Sequence, residues 1–129
     1  MKAVVSILLV LGIVAIVLPK LDRGSVTPRD TAARVQIETL TLALDAFKKH
    51  VGRYPSTQEG LRVLRRGPQA DGDGWQGPYL MHDPKRDPWG NEYQYACPGQ
   101  HNQDSFDLWS LGKDRKNDTD DDICNWERE

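Results

Sequence analysis

The sequence has no G-x-S-x-G turn, no H-E-x-x-H pair and no glycine loop of the phosphate-cradling kind. The usual marks of nucleophilic, zinc-hydrolytic and nucleotide chemistry are therefore missing. Its bases form no dense stripe, which excludes a nucleic-acid binder. Three histidines, His50, His82 and His101, and two cysteines, Cys97 and Cys124, show no paired ligand spacing, which argues against zinc. Without a C-x-x-C pair, a thioredoxin-like redox site is excluded as well. No residue is assigned a catalytic role, and the chain reads as a non-enzyme. Internal repeats and low-complexity tracts are also absent.

Long apolar runs are scarce too. The one that exists, AVVSILLVLGIVAIVL from Ala3 to Leu18, has sixteen uncharged residues. As a helix it would reach about 24 Å, slightly short of a bilayer core of about 30 Å. It is either a cleaved secretory signal or an uncleaved anchor. A small-x-small cleavage site should follow a signal, and LPKLDRG offers none, so the anchor is preferred. Lys2 and the amino terminus keep that end in the cytoplasm and send the remainder outward. The expected organisation is a membrane-anchor helix over residues 1–20, a break or linker over 21–29 and a globular domain over 30–129. An exported domain permits a disulfide between Cys97 and Cys124, with two buried thiols that never meet as the alternative.

Beyond the apolar run, the punctuation is clear. Thr27-Pro28-Arg29-Asp30 supplies an N-cap, a proline at the first helical position and an acid at the third. Ala33, Ile37, Leu40, Leu44, Phe47 and Val51 then recur at spacings of four and three, placing them on one helix face that a sheet should cover. Gly52 is placed to end this helix. Ser56-Thr57-Gln58-Glu59 reads as a capping box opening a second, short helix with Leu61 and Leu64 inward, stopped by Gly67-Pro68. Further on the period falls to two: Tyr93 and Tyr95 alternate with Gln94 and Ala96, as do Phe106, Leu108 and Ser110 with Asp107, Trp109 and Leu111. These are two strands, expected to be antiparallel, with a third expected near Pro78-Tyr79-Leu80.

The most unusual stretch is DLWSLGKDRKNDTDDDICNW, residues 107–126. It crowds Asp114, Asp118, Asp120, Asp121 and Asp122 between Trp109 and the apolar pair Ile123 and Trp126. Residues 104–129 carry nine acids and four bases, a net of −5 against −2 for the whole chain. Like charges this close require protonation or a cation unless they splay into water, so a hard divalent ion and a solvated acidic turn both remain open. An EF-hand does not fit, because Thr119 stands where the turn glycine belongs and Asn125 where the bidentate glutamate belongs. Glycoside hydrolysis does not fit either, since it needs two acids facing each other across a cleft.

Taken in order, GRYPSTQEGLRVL, GPYL, DPWGNEYQY, PGQH, DLWSLGKD and DDDICNW resemble the major pseudopilins of bacterial type II secretion systems, a family built like type IV pilins, and the resemblance covers residues 30–126. The resemblance implies an α+β, pilin-like fold. In it, an N-terminal hydrophobic helix and a long amphipathic helix pack on a small antiparallel sheet of about three strands, with a calcium-binding C-terminal loop. It implies a homo-oligomer, a helical filament that assembles in the periplasm and drives export of folded proteins across the outer membrane. The subunit would be held in the inner membrane by a single span, with minor pseudopilins and inner-membrane secretion components as partners. It also implies a structural calcium ion held by the backbone carbonyls of Leu111 and Lys116 and the side chains of Asp114, Asp121 and Asp122, with Thr119 as an additional oxygen. Family members open with a basic leader ending in glycine, then Phe-Thr-Leu-x-Glu, where a prepilin peptidase cuts; this sequence opens MKAVVSILLVLG, so the resemblance does not carry that processing over. A membrane-anchored periplasmic calcium-binding domain that never polymerises is the competing reading.

Overall fold

Thr27 begins the long helix as the sequence dictates. The computed structural model describes residues 26–68 and 74–128. In it, the Thr27 hydroxyl accepts the Asp30 N–H at 3.2 Å, and the Asp30 carboxylate accepts the Thr27 N–H at 2.9 Å. Helix α1, Pro28–Val51, follows with Pro28 in its first turn. Each end is matched to the helix dipole, with Asp30 in the first turn and Lys48, Lys49 and His50 in the last. Gly52 closes α1, donating its N–H to the Lys48 carbonyl at 2.8 Å. The expectations for the apolar run and for residues 21–25 of the break or linker lie outside the described residues, while Pro28 and Arg29 already belong to α1. Among those residues no helix is long and apolar enough to cross a membrane.

The face predicted to be covered is covered. Ala33, Ile37, Leu40, Leu44 and Phe47 are buried, joined by Ala43, while Val51 packs at the margin. They meet Leu61, Val63 and Leu64 in and just before the short helical segment, Leu108 and Ile123 from the sheet, and Tyr93 and Phe106 from the residues that precede two of its strands. Phe47 is fully buried, with its ring edge-on to Tyr79 at 6.2 Å.

The second helix is shorter than its cap predicts. The capping box forms, with Glu59 N–H to the Ser56 hydroxyl at 3.1 Å and Ser56 N–H to Glu59 Oε1 at 3.0 Å. The chain makes one turn there, closed by Gly60 N–H on the Ser56 carbonyl at 3.0 Å. Gly60 then takes φ +64°, a left-handed conformation that ends a helix. Helix α2 spans only Val63–Arg66. Arg53 grips Glu59 through two guanidinium nitrogens at 2.6 and 3.2 Å. This ion pair, opposed by partial burial, leaves the Glu59 carboxyl below its ordinary value of 4.5. A lowered carboxylate stabilises the fold above its unfolded value, and that contribution is lost as pH falls through the folded value. Glu59→Gln is therefore expected to cost about 1 kcal/mol near neutral pH. In urea melts the gap from the unsubstituted chain should close as pH falls through the lowered Glu59 value.

The sheet has three antiparallel strands in the order β1-β2-β3: β1 is Gln94–Ala96, β2 is Asp107–Ser110 and β3 is Ile123–Cys124. The third strand is thus Ile123–Cys124 and not Pro78-Tyr79-Leu80. Tyr79 does return to the body of the domain, donating its N–H to the Leu64 carbonyl at 2.8 Å and bonding its hydroxyl to His50 Nδ1 at 2.8 Å. Those are side-chain and loop anchors, and no ladder is built on them. Asn125 extends β3's role: its side chain accepts the Leu108 N–H at 2.9 Å and donates to the Phe106 carbonyl at 3.1 Å.

The disulfide expected between Cys97 and Cys124 is a second correction, since both cysteines are free. Cys97 follows β1 and Cys124 lies in β3, on opposite sides of β2. Strands two apart in a sheet are separated by about 10 Å. A disulfide needs Cα atoms within about 7 Å.

Two buried carboxylates hold the loops around the sheet. Asp107, on β2, accepts the backbone N–H groups of Gln100, His101 and Asn102 at 2.8, 3.0 and 2.9 Å. Asp87 accepts the N–H groups of Trp89 and Asn91 at 3.0 and 2.8 Å, and the hydroxyl of Ser110 at 2.7 Å. Each is buried because the backbone supplies the donors that water would otherwise give.

Candidate metal centre

Residues 111–122 connect β2 to β3 and carry the crowded aspartates. Ile123 must return to the core face, where it is 4% exposed. This draws its neighbour Asp122 inward to 8% exposure, so splaying into water is closed to that carboxylate. One carboxylate oxygen from each of Asp114, Asp121 and Asp122 lies within 4.8 Å of the others.

Each of the three carboxylates has an oxygen fixed by a backbone amide. Asp114 Oδ1 accepts Lys116 N–H at 2.9 Å, Asp121 Oδ2 accepts Asp114 N–H at 2.9 Å, and Asp122 Oδ2 accepts Asp118 N–H at 2.8 Å. Arg128 approaches the same Asp122 oxygen at 3.7 Å. The second oxygens of Asp121 and Asp122 turn to the Thr119 hydroxyl, at 2.7 and 3.0 Å, and the Lys116 carbonyl stands 3.2 Å from that hydroxyl. A hydroxyl has one proton, so three oxygen neighbours leave two contacts without a donor. The short contact to Thr119 is the chief reason that the Asp121 carboxyl titrates below its usual range.

Gly112 completes the arrangement. Its φ is +71°, and a Cβ there would stand 2.2 Å from the Asp121 carbonyl oxygen. The loop end and the loop start therefore touch backbone to backbone. Leu111, which leaves β2 just before Gly112, is half-buried. The structure thus brings together Asp114, Lys116, Thr119, Asp121 and Asp122 from the predicted set and leaves Asp118 and Asp120 exposed at the rim.

The donor set consists of oxygen atoms alone, which suits a hard cation. Oxygens sharing one calcium ion at about 2.3–2.6 Å can be no further apart than about 5 Å, and the three carboxylates meet that limit. The residues present fit such an ion. Two of the three histidines are engaged elsewhere: His50 with Tyr79, and His101 stacked on Trp126 with ring centroids 4.1 Å apart.

Three contributors went unread in the sequence. Gly112 is visible there only as one glycine among eleven. Arg128 is a lone base near the end of an acidic tail. Asn117 gives no signal at all, because its contact with Trp109 depends on how the loop folds back.

Comparison with known proteins decides the family. Residues 20–126 match the family described as Type II secretion system (T2SS), protein G. The chain belongs to that family. The core protein G of type II secretion in Pseudomonas aeruginosa is 36% identical over 96% of this chain and 90% of its own length. The Klebsiella pneumoniae core protein G is 37% identical over 95% and 89%. The crystal structure of the major pseudopilin from the type 2 secretion system of enterohaemorrhagic Escherichia coli superposes with a TM-score of 0.64. It is 32% identical and covers 74% of this chain and 84% of that one. A protein G chain is a structural component of the secretion machinery, so the pilin-like α+β fold and the non-catalytic reading agree with the family.

Proposed function

We propose that this protein G chain is a major pseudopilin whose loop 111–122 holds a structural calcium ion. In this reading, residues 1–20 anchor the subunit in the inner membrane and pack in the middle of a helical filament. The globular domain faces the periplasm, and the filament, with minor pseudopilins and inner-membrane secretion components, drives folded proteins across the outer membrane. The observation that carries the calcium part is the convergence of Asp114, Asp121 and Asp122 on one point beside a buried strand. Those side chains, the Lys116 and Leu111 carbonyls and the Thr119 hydroxyl would hold the ion. Bound there, it would supply positive charge that cancels the carboxylate repulsion and closes the loop onto the sheet.

Polymerisation has its own support. Val35 and Leu42, seven residues apart on α1, are 56% and 71% exposed. Positions seven apart share a helix face, so the strip they form suits burial against a neighbouring subunit.

The test is complementation in a bacterium lacking its own core pseudopilin. The unsubstituted chain should restore secretion and give filaments visible by electron microscopy, and Asp121→Ala should sharply reduce both. Equal performance of the Asp121→Ala chain would remove calcium from the account. An anchored chain that never forms filaments would support the non-polymerising calcium-binding domain instead.

A further inference from the structure

The side chain of Asn117 projects from the acidic loop to a partner outside it. Its Oδ1 accepts the indole N–H of Trp109 at 2.9 Å. Trp109 sits in the middle of β2, paired with Gln94 of β1 and Cys124 of β3. Its ring stands edge-on to Trp126 at 5.7 Å, and Trp126 in turn stacks on His101. The donor is thus carried on a platform braced from both neighbouring strands and from the tail. The acceptor lies in an exposed stretch whose backbone is left-handed on both sides, at Arg115 with φ 61° and Asp118 with φ 58°.

Lys116 is the residue that this contact fixes. Its N–H is held by Asp114 Oδ1, and its carbonyl lies 3.2 Å from the Thr119 hydroxyl, whose single proton Asp121 and Asp122 also approach. Both of those partners belong to the loop itself and move with it. The Asn117–Trp109 bond, one residue on, ties the same backbone to the sheet. A second tether lies one residue before Lys116, where the Arg115 guanidinium donates to the Trp89 carbonyl at 3.1 Å. Lys116 is therefore the point at which the loop is pinned from both sides. Outer contacts that orient ligand groups set how well a metal site is preorganised.

We infer that Asn117 and Trp109 are positioning residues for the metal loop, holding the Lys116 carbonyl in register with Asp114, Asp121 and Asp122 through the indole hydrogen bond. The inference rests on the calcium reading, and its test separates the two. Calcium affinity is measured by chelator competition on the whole chain in detergent, for the unsubstituted protein, Asn117→Ala, Trp109→Phe and the double variant, together with calcium-free melting and tryptophan emission. Asn117→Ala is expected to weaken calcium binding about tenfold and to leave the calcium-free melt unchanged, a pattern that a merely structural role would not give. The double variant should bind no more weakly than the weaker single variant, because both changes remove one bond. Calcium should shift the emission of the unsubstituted chain and shift that of Asn117→Ala less at saturation. Normal calcium affinity in Asn117→Ala, or losses that multiply in the double variant, would overturn the positioning role while leaving the site standing. An unsubstituted chain that binds no calcium would overturn both.

Discussion

Phe47→Ala is expected to remove about 3–5 kcal/mol of folding stability, the range for deleting a fully buried aromatic ring. Phe47 is 0% exposed, its ring lies edge-on to Tyr79, and Arg53 approaches its face at 5.8 Å. The ring is near the C-terminal end of α1, where the helix, the Tyr79 segment and the sheet share one core cluster. The cavity would open at the junction of all three, where no single element can slide in to fill it. Urea melts at constant slope should report the loss as a lower midpoint. A change below about 1 kcal/mol would mean that the site collapses freely and that Phe47 is not a keystone of the core.

Gly112→Ala is the second large effect, expected at about 2–4 kcal/mol. Part is the strain of a side chain at φ +71°, and the larger part is the clash of a Cβ placed 2.2 Å from the Asp121 carbonyl oxygen. The obstructing atom is backbone, so no rotamer change relieves it. Because Asp121 must retreat, the substitution should also lower calcium affinity. Melting curves recorded with chelator and with calcium separate the two consequences. The destabilisation should be present under both conditions and larger with calcium. Equal losses under both would show that Gly112 serves the fold alone.

The parts of the structure that were legible in the sequence are those decided locally. Helix α1 announces itself through Thr27, Pro28 and Asp30 at one end, a seam of Ala33, Ile37, Leu40, Leu44 and Phe47, and Gly52 at the other. Each signal acts within a turn or two of chain. Strands β1 and β2 were readable because Tyr93, Tyr95, Phe106 and Leu108 alternate over enough residues to define a face. β3 was not, because two residues, Ile123 and Cys124, carry no period; their strand character comes from pairing with Trp109 and Ser110. The Tyr79 segment looked like a strand on composition and serves as an aromatic anchor. The α2 cap signal was genuine, but Gly60 overrides it within one turn.

The candidate site divides along the same line. Asp114, Asp121 and Asp122 could be named from crowding and family resemblance, since the acids sit within one short loop. The buried carboxylates Asp87 and Asp107 were hidden, because nothing in the sequence says that backbone amides of Asn91 or His101 will turn back toward them. The cysteine pairing failed for a related reason. Whether two positions can meet depends on strand order, and β2 stands between β1 and β3.

The most direct measurement is a calorimetric titration of calcium into the whole chain, run beside Asp121→Ala. The account predicts saturable binding of one ion per chain. It also predicts a gain in unfolding free energy of about 3 kcal/mol when free calcium is a hundredfold above the dissociation constant, and both should disappear in the Asp121→Ala chain. No heat of binding, together with a melting curve identical in calcium and in chelator, would contradict it.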